Sequence, residues 1–284
     1  MMIFEKAPAK INLTLDVLHK RDDGYHEIEM IMTSIDLADR LTFEKTDNQG
    51  ITIVSEKRYV PNDQRNLAYQ GVALMREKFG IQSGVKITID KQIPVAAGLA
   101  GGSSDAAASL RGVNRLFNLG QTTEQLQKIG EEIGSDVPFC VSGKTAIARG
   151  RGEKLSTLPS PPPCWVVLAK PSIGVSTKDV YGNVNIDQIE HPDTESMANA
   201  LRNKDFHSLC NHLGNVLEPI TVAMHQEVDQ IKTFMQKQGL EGVLMSGSGP
   251  TVYGLTEHLS KAERTVNGLR GFCQEVYLVR ALTD

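Results

Sequence analysis

Between a strand-like run at residues 85–89 and a helical pattern carried by Leu110, Val113 and Phe117, the chain reads Pro94-Val95-Ala96-Ala97-Gly98-Leu99-Ala100-Gly101-Gly102-Ser103-Ser104-Asp105-Ala106-Ala107. Gly98, Gly101 and Gly102 admit backbone conformations closed to other residues and let the chain come close to a ligand. Ser103 or Ser104 is placed to cap the helix that follows. A strand–loop–helix unit of this kind points free N–H groups and the positive end of a helix dipole at one place, which makes an anion site. For a loop of this size the natural anion is a nucleotide phosphate. The competing reading is a flexible Gly/Ser loop before an ordinary capped helix.

Other phosphate-binding signatures are missing. Gly143-Lys144-Thr145 lacks the glycine that a Walker loop needs five positions earlier, where Pro138 stands, and it runs into the strand-like Ala146-Ile147-Ala148. Gly150-Arg151-Gly152 and Gly247-Ser248-Gly249 carry Leu155 and Val252 where a dinucleotide fingerprint has its third glycine. His19-Lys20-Arg21-Asp22 is not a protein-kinase catalytic loop, and no Asp-Phe-Gly occurs.

At 284 residues and 40% hydrophobic, the chain can bury one large core or two smaller ones. A net charge of -4 with scattered Lys and Arg argues against a nucleic-acid surface. No apolar run approaches the roughly 18 to 20 residues that cross a bilayer, and Met1 to Lys6 has no signal-peptide core. The expectation is a cytoplasmic protein without membrane contact. Cys140, Cys164, Cys210 and Cys273 are far apart and suggest buried apolar thiols, not a zinc site or a disulfide framework.

Ile11, Leu13, Leu15 and Val17 alternate with Lys10, Asn12, Thr14 and Asp16, the period of a half-buried strand with a polar face. Asp23-Gly24 marks a tight turn before Tyr25 and His26. Strand-like runs follow at 40–44 and 51–54, then a helix from Leu67 stopped by Gly80, and a helix from Thr122 to Gly134. The proline-rich Pro159-Ser160-Pro161-Pro162-Pro163 separates this region from a β-like run at 165–169, which sets domains at 1–160 and 161–284. The second half predicts helices near 195–211 and 217–238, strands at 243–245 and 252–255, a helix marked by Ala262, Val266 and Leu269, and a strand at 276–279. This mixture favours α+β.

Residues 94–107 resemble the central phosphate-binding motif of the GHMP kinases. Two further segments agree in order and spacing: Ala7-Pro8-Ala9-Lys10-Ile11-Asn12-Leu13 resembles the family's N-terminal motif, and residues 242–252, with Met245-Ser246-Gly247-Ser248-Gly249-Pro250, its C-terminal one. The resemblance spans nearly the whole chain. It implies a two-domain α+β fold, with a ribosomal-protein-S5-like N-terminal domain, a ferredoxin-like C-terminal domain and an active site in the cleft between them. It also implies ATP and Mg²⁺, with metal ligands left unassigned. Arg21-Asp22-Asp23-Gly24-Tyr25-His26 and Gly134-Ser135-Asp136-Val137-Pro138-Phe139 resemble the branch of the family that serves the non-mevalonate route to isoprenoid precursors. Its acceptor is a small molecule, a cytidine diphosphate-linked methylerythritol, phosphorylated on the 2-hydroxyl by a monomer or weak homodimer.

By the same resemblance Asp136 is the catalytic base; on its own it reads equally as a turn-former. Lys10, otherwise a solvated strand lysine, pairs with Asp136 and the transferred phosphoryl group. Asn66 corresponds to the adenine-pocket asparagine, or else caps the helix it precedes. Asn12 joins the substrate-binding residues, and Tyr25, His26 and Tyr181 form a clamp for the cytosine ring. The Gly247-Ser248-Gly249 loop supports the phosphate loop without moving a proton. A GHMP kinase with a mevalonate- or homoserine-like acceptor is the near alternative, and a non-catalytic nucleotide-binding protein on the same scaffold is the distant one.

Overall fold

A computed structural model describes residues 2–283. In chain order the elements are β1 (Met2–Lys20), β2 (His26–Thr46), β3 (Ile51–Ser55), α1 (Leu67–Phe79), β4 (Gly84–Asp90), α2 (Gly101–Leu116), α3 (Thr123–Gly130), α4 (Val137–Ser142), β5 (Ala146–Gly150) and β6 (Lys154–Thr157). They continue as β7 (Trp165–Lys170), α5 (Thr177–Gly182), α6 (Thr194–Arg202), α7 (Phe206–Asn211), β8 (Gly214–Asn215), α8 (Glu218–Met224), α9 (Gln226–Lys237), β9 (Gly242–Met245), β10 (Val252–Thr256), α10 (Leu259–Leu269) and β11 (Glu275–Arg280).

The chain forms two compact units that interleave in sequence. One holds the N-terminus to Ala9, Leu37–Val95 and Ala100–Gly143; the other holds Lys10–Asp36, Ala96–Leu99 and everything from Lys144 onward.

In the first unit β3 runs parallel to β4, which pairs antiparallel with the second half of β2 from Arg40 opposite Asp90 to Thr46 opposite Gly84. Alternation buries Leu41 and Phe43 on β2 and Val85, Ile87 and Ile89 on β4. α1 starts where the Asn66 side chain accepts from the Ala68 N–H and stops at Gly80, whose φ of 62° is the left-handed C-cap that glycine supplies. It packs on α2 so closely that a Cβ on Gly71 would lie 3.1 Å from the Ala106 carbonyl oxygen.

In the second unit β2 pairs antiparallel with β5 from Ile28 opposite Gly150, and β1 meets the short β8 in parallel, Thr14 opposite Gly214. A separate antiparallel sheet has the order β11-β7-β10-β9. Numbered within this half of the chain, that is 4-1-3-2, with helices between its first and second and its third and fourth strands. This is the expected ferredoxin-like arrangement. Val166, Val167, Leu168 and Ala169 of β7 are all buried, so both faces of this strand are covered.

Three expectations are corrected. β1 is not half-buried: Lys10, Asn12, Thr14 and Asp16 on its polar face are buried as well as the apolar set. The helix from Thr122 ends at Gly130 and not at Gly134, with turns closed by Ile133 N–H to the Gly130 carbonyl. The two long helices of the second half are each broken. Lys204, at φ 54°, ends one and Asp205 caps its successor; His225, at φ -143° and ψ 96°, divides the other. α5 had no counterpart in the sequence reading.

Candidate active site

The glycine-rich loop of residues 94–104 shows the strained backbone that its composition allows. Gly98 has φ 72°, and Ala96 and Ala100 adopt φ 50° and 55° without being glycine, which costs energy and marks a shape imposed by its surroundings. A Cβ on Gly98 would lie 2.2 Å from the Ser246 carbonyl oxygen, so backbone meets backbone there. Gly98→Ala is therefore expected to lose more than the roughly 1–3 kcal/mol of left-handed strain alone. A melting temperature within 2 °C of wild type, by roughly the scaling of Tm with stability, would contradict this packing.

The helix after the loop is not capped as predicted from Ser103 or Ser104. Ala100 is the N-cap and makes no side-chain cap hydrogen bond, and no acidic residue stands in the first turn. Ser104 instead donates to the Pro8 carbonyl at 2.7 Å, tying α2 to the start of β1. The leading N–H groups of α2, on Gly101, Gly102 and Ser103, thus have no side chain of their own helix to answer them.

Lys10 is buried at 4% exposure. Its Nζ donates to Asn12 Oδ1 at 2.7 Å and to the Gly98 carbonyl at 3.1 Å. The same carbonyl accepts from Ser246 Oγ at 2.9 Å, and Asn215 Nδ2 donates to the Met245 and Gly247 carbonyls, both at 2.8 Å. One unit therefore gathers Lys10, Asn12, the tip of the glycine-rich loop and the Gly247-Ser248-Gly249 loop. Ser246 lies within the C-terminal motif read from the sequence but carried no role of its own there, and nothing in the sequence near Asn215 marks it. Asn12 is held from both sides, its Nδ2 3.2 Å from Met30 Sδ and its carbonyl accepting from the buried Tyr253 hydroxyl at 2.7 Å.

In this unit the His26 and Tyr181 rings lie 5.5 Å apart, centroid to centroid, tilted by 34°. Burial, and secondarily Lys20, hold the His26 imidazole below its ordinary pKa, so it is neutral at pH 7 and offers one donor and one acceptor. Tyr25 is 56% exposed, and the Arg151 guanidinium sits 5.0 Å from its ring centroid. In the sequence Arg151 stands out only as the middle residue of Gly150-Arg151-Gly152, which does not complete a dinucleotide fingerprint.

Asn66 and Asp136 belong to the other unit. Both ends of the Asn66 amide are engaged within the chain, with Oδ1 accepting from Ala68 N–H at 2.9 Å and Nδ2 donating to the Pro61 carbonyl at 2.8 Å. That is the capping alternative raised from sequence. Asp136 is half-buried at the N-cap of α4, yet its side chain makes no cap hydrogen bond. The turn-former reading would have spent that carboxylate on backbone N–H groups.

The family model for the GHMP kinases N terminal domain matches residues 66–144, and that for the GHMP kinases C terminal matches residues 197–275. A relative from Exiguobacterium sibiricum, 4-diphosphocytidyl-2-C-methyl-D-erythritol kinase, is 62% identical over 284 residues, all of this chain and 99% of its own length. The chain belongs to the GHMP kinase family. A second relative of this GHMP kinase, so named in Bacillus cytotoxicus, is 60% identical over all of the chain and 98% of its own length. A crystal structure of 4-(cytidine 5'-diphospho)-2C-methyl-D-erythritol kinase superposes with a TM-score of 0.84 at 33% identity, covering 99% of this chain and 100% of that one. The chain is thus an ATP-dependent phosphotransferase with the two-domain α+β GHMP kinase fold. No helix among the described residues is long and apolar enough to cross a membrane.

Proposed function

We propose that this kinase transfers the γ-phosphoryl group of ATP to the 2-hydroxyl of 4-diphosphocytidyl-2-C-methyl-D-erythritol, giving the 2-phosphate and ADP, as a step toward isoprenoid precursors by the non-mevalonate route. The observation that carries this reading is the full-length, 62% identity to a relative of that name. The His26–Tyr181 ring pair beside exposed Tyr25 supports the cytosine-bearing acceptor, since mevalonate and homoserine have no ring to stack.

In the reaction the acceptor hydroxyl oxygen bonds to the γ-phosphorus as the bond to the ADP oxygen breaks. Asp136 takes the hydroxyl proton, for which an uncommitted carboxylate is suited. Lys10, fixed by Asn12 and Gly98, places one positive charge where negative charge gathers on the moving phosphoryl group. Residues 94–104 hold the ATP phosphates on backbone N–H groups, and Asn66 serves the nucleotide site by fixing the start of α1. Asn12, Tyr25, His26 and Tyr181 hold the acceptor.

No group of three or more His, Cys, Asp or Glu side chains suited to a metal occurs among the described residues. A Mg²⁺ borne by ATP phosphates needs few protein ligands, and the Ser103 hydroxyl is an oxygen donor next to the open N–H groups of α2. Bound there, it would neutralise charge on the phosphates. A boundary near residue 160 between N- and C-terminal family domains is part of this reading; that position falls in the stretch between the two matched family segments, while the compact units themselves interleave. A cytoplasmic setting, and function as a monomer or weak homodimer, complete the proposal. All four cysteines are buried, and burial pushes the Cys164 and Cys210 thiols up to about 12, so these two stay protonated at neutral pH.

ADP release with ATP, Mg²⁺ and a panel of acceptors tests the reading. Turnover with the cytidylated methylerythritol is expected; turnover only with mevalonate or homoserine would refute the acceptor, and none at all would refute catalysis. Within the clamp, Tyr25→Ala should raise the acceptor KM by roughly ten- to a hundredfold, from a stacking contribution of about 1–3 kcal/mol, and leave the ATP KM unchanged. An unchanged acceptor KM would remove Tyr25 from the clamp.

A further inference from the structure

Three ionisable side chains lie together inside the first unit, just behind the phosphate loop. Lys91 Nζ donates to Asp39 Oδ2 at 2.5 Å and to Asp105 Oδ2 at 2.6 Å, with side-chain exposures of 6%, 0% and 5% respectively. The other oxygen of Asp39 accepts from the backbone N–H groups of Gln92 and Ile93 at 2.6 and 2.8 Å. Asp105 Oδ1 is buried with no hydrogen-bond partner.

Stability is a poor reason to place these groups here. Removing charges from water is costly, and packed apolar side chains in place of a buried ion cluster are often at least as stable. The cluster does something that apolar packing cannot, because it fixes directions. Asp39 on β2 grips the chain as it enters the loop, Asp105 lies on the fifth residue of α2 as the chain leaves, and Lys91 joins the two. A Cβ built on Gly101 would lie 3.2 Å from Lys91 Nζ and 3.0 Å from Ile93 Cγ2, so the ammonium sits directly beneath the first residue of α2. Entry strand and exit helix are thereby set at a fixed separation, and the loop between them has its two ends pinned.

We propose that Lys91, Asp39 and Asp105 are positioning residues for ATP: the buried cluster pins both ends of the phosphate loop so that the N–H groups at the start of α2 stay aimed at the nucleotide phosphates. This rests on the reading that residues 94–104 bind those phosphates.

Asp39→Asn is the informative variant, because its side-chain oxygen can still accept from Gln92 and Ile93 while its amide N–H₂ is set against the Lys91 ammonium. Lys91→Gln is the second, neutral and able to reach only part of the network. ATP binding by calorimetry on the purified chain, thermal melting, and KM values for ATP and the acceptor would be measured for both. The expected result is a tenfold or greater rise in ATP Kd and KM in both variants, with the acceptor KM within threefold and melting within a few degrees of wild type. ATP affinity within threefold of wild type in either folded variant would overturn the proposal. So would failure of both variants to fold, or equal rises in the two KM values, since either assigns the cluster to the core alone. A wild-type protein that does not bind ATP would instead strike down the nucleotide reading of the loop, whereas normal wild-type binding with unaffected variants strikes only the positioning role.

Discussion

Asp136→Asn is expected to lower kcat by about 10² to 10⁴ while ATP affinity stays near wild type. The change keeps the shape of the side chain and removes its ability to accept a proton. Because Asp136 makes no cap hydrogen bond to α4, the substitution deletes no structural contact of that kind, and the melting temperature should hardly move. This separates chemistry from folding more cleanly than at most helix N-caps, where losing the cap costs about 1 kcal/mol. Steady-state turnover, calorimetric ATP binding and thermal melting on the same preparation decide the matter. A folded Asp136→Asn enzyme that keeps most of its turnover would end the assignment of Asp136 as base.

Lys10→Met should reduce kcat by a comparable factor through a different route, and with a different signature. In the proposed mechanism the lost charge is the one that stabilises the phosphoryl group in flight, which in sites of this kind is the larger part of catalysis. Here the ammonium also donates to Asn12 and Gly98. Methionine leaves the buried Asn12 Oδ1 without this donor, a loss of about 1–3 kcal/mol, and leaves the Gly98 carbonyl to Ser246 alone. Lys10→Met should therefore also melt lower and raise the ATP KM severalfold, neither of which is expected of Asp136→Asn. Turnover lost with both of those values unchanged would show that Lys10 acts on the phosphoryl group but does not shape the loop. Turnover retained would remove it from the mechanism.

Much of the architecture was legible because it is written locally. Asn66 and Gly80 bound α1 through side-chain capping and a left-handed stop, while the alternation at β4 and the short apolar-rich runs at β7 and β10 mark strands wherever they are placed. Burial of β1 on both faces was not legible, because alternation reports the chemistry of a face and not what covers it. Thr14 Oγ1 accepts from the Ile31 N–H at 3.0 Å, and an oxygen of Asp16 lies 2.8 Å from His191 Nδ1, partners 17 and 175 residues away. The breaks at Lys204 and His225 were missed for a related reason: apolar spacing carries across a short interruption that leaves the buried faces in phase. At the site, glycine and lysine motifs announced the loop and its cation. The residues that hold them, Ser246, Asn215, Asp39 and Lys91, are ordinary types whose meaning comes from their neighbours, and only the folded chain supplies those.

The Gly98 carbonyl oxygen accepts from Lys10 and from Ser246, residues 88 positions before it and 148 after it. During synthesis at roughly 5–20 residues per second, the nascent chain displays its whole glycine loop for about 7 to 30 seconds before Ser246 exists to fix it. Until then the Gly98 carbonyl has the Lys10 ammonium but not the Ser246 hydroxyl, so the tip of the loop completes this pair of hydrogen bonds only after most of the chain has been made.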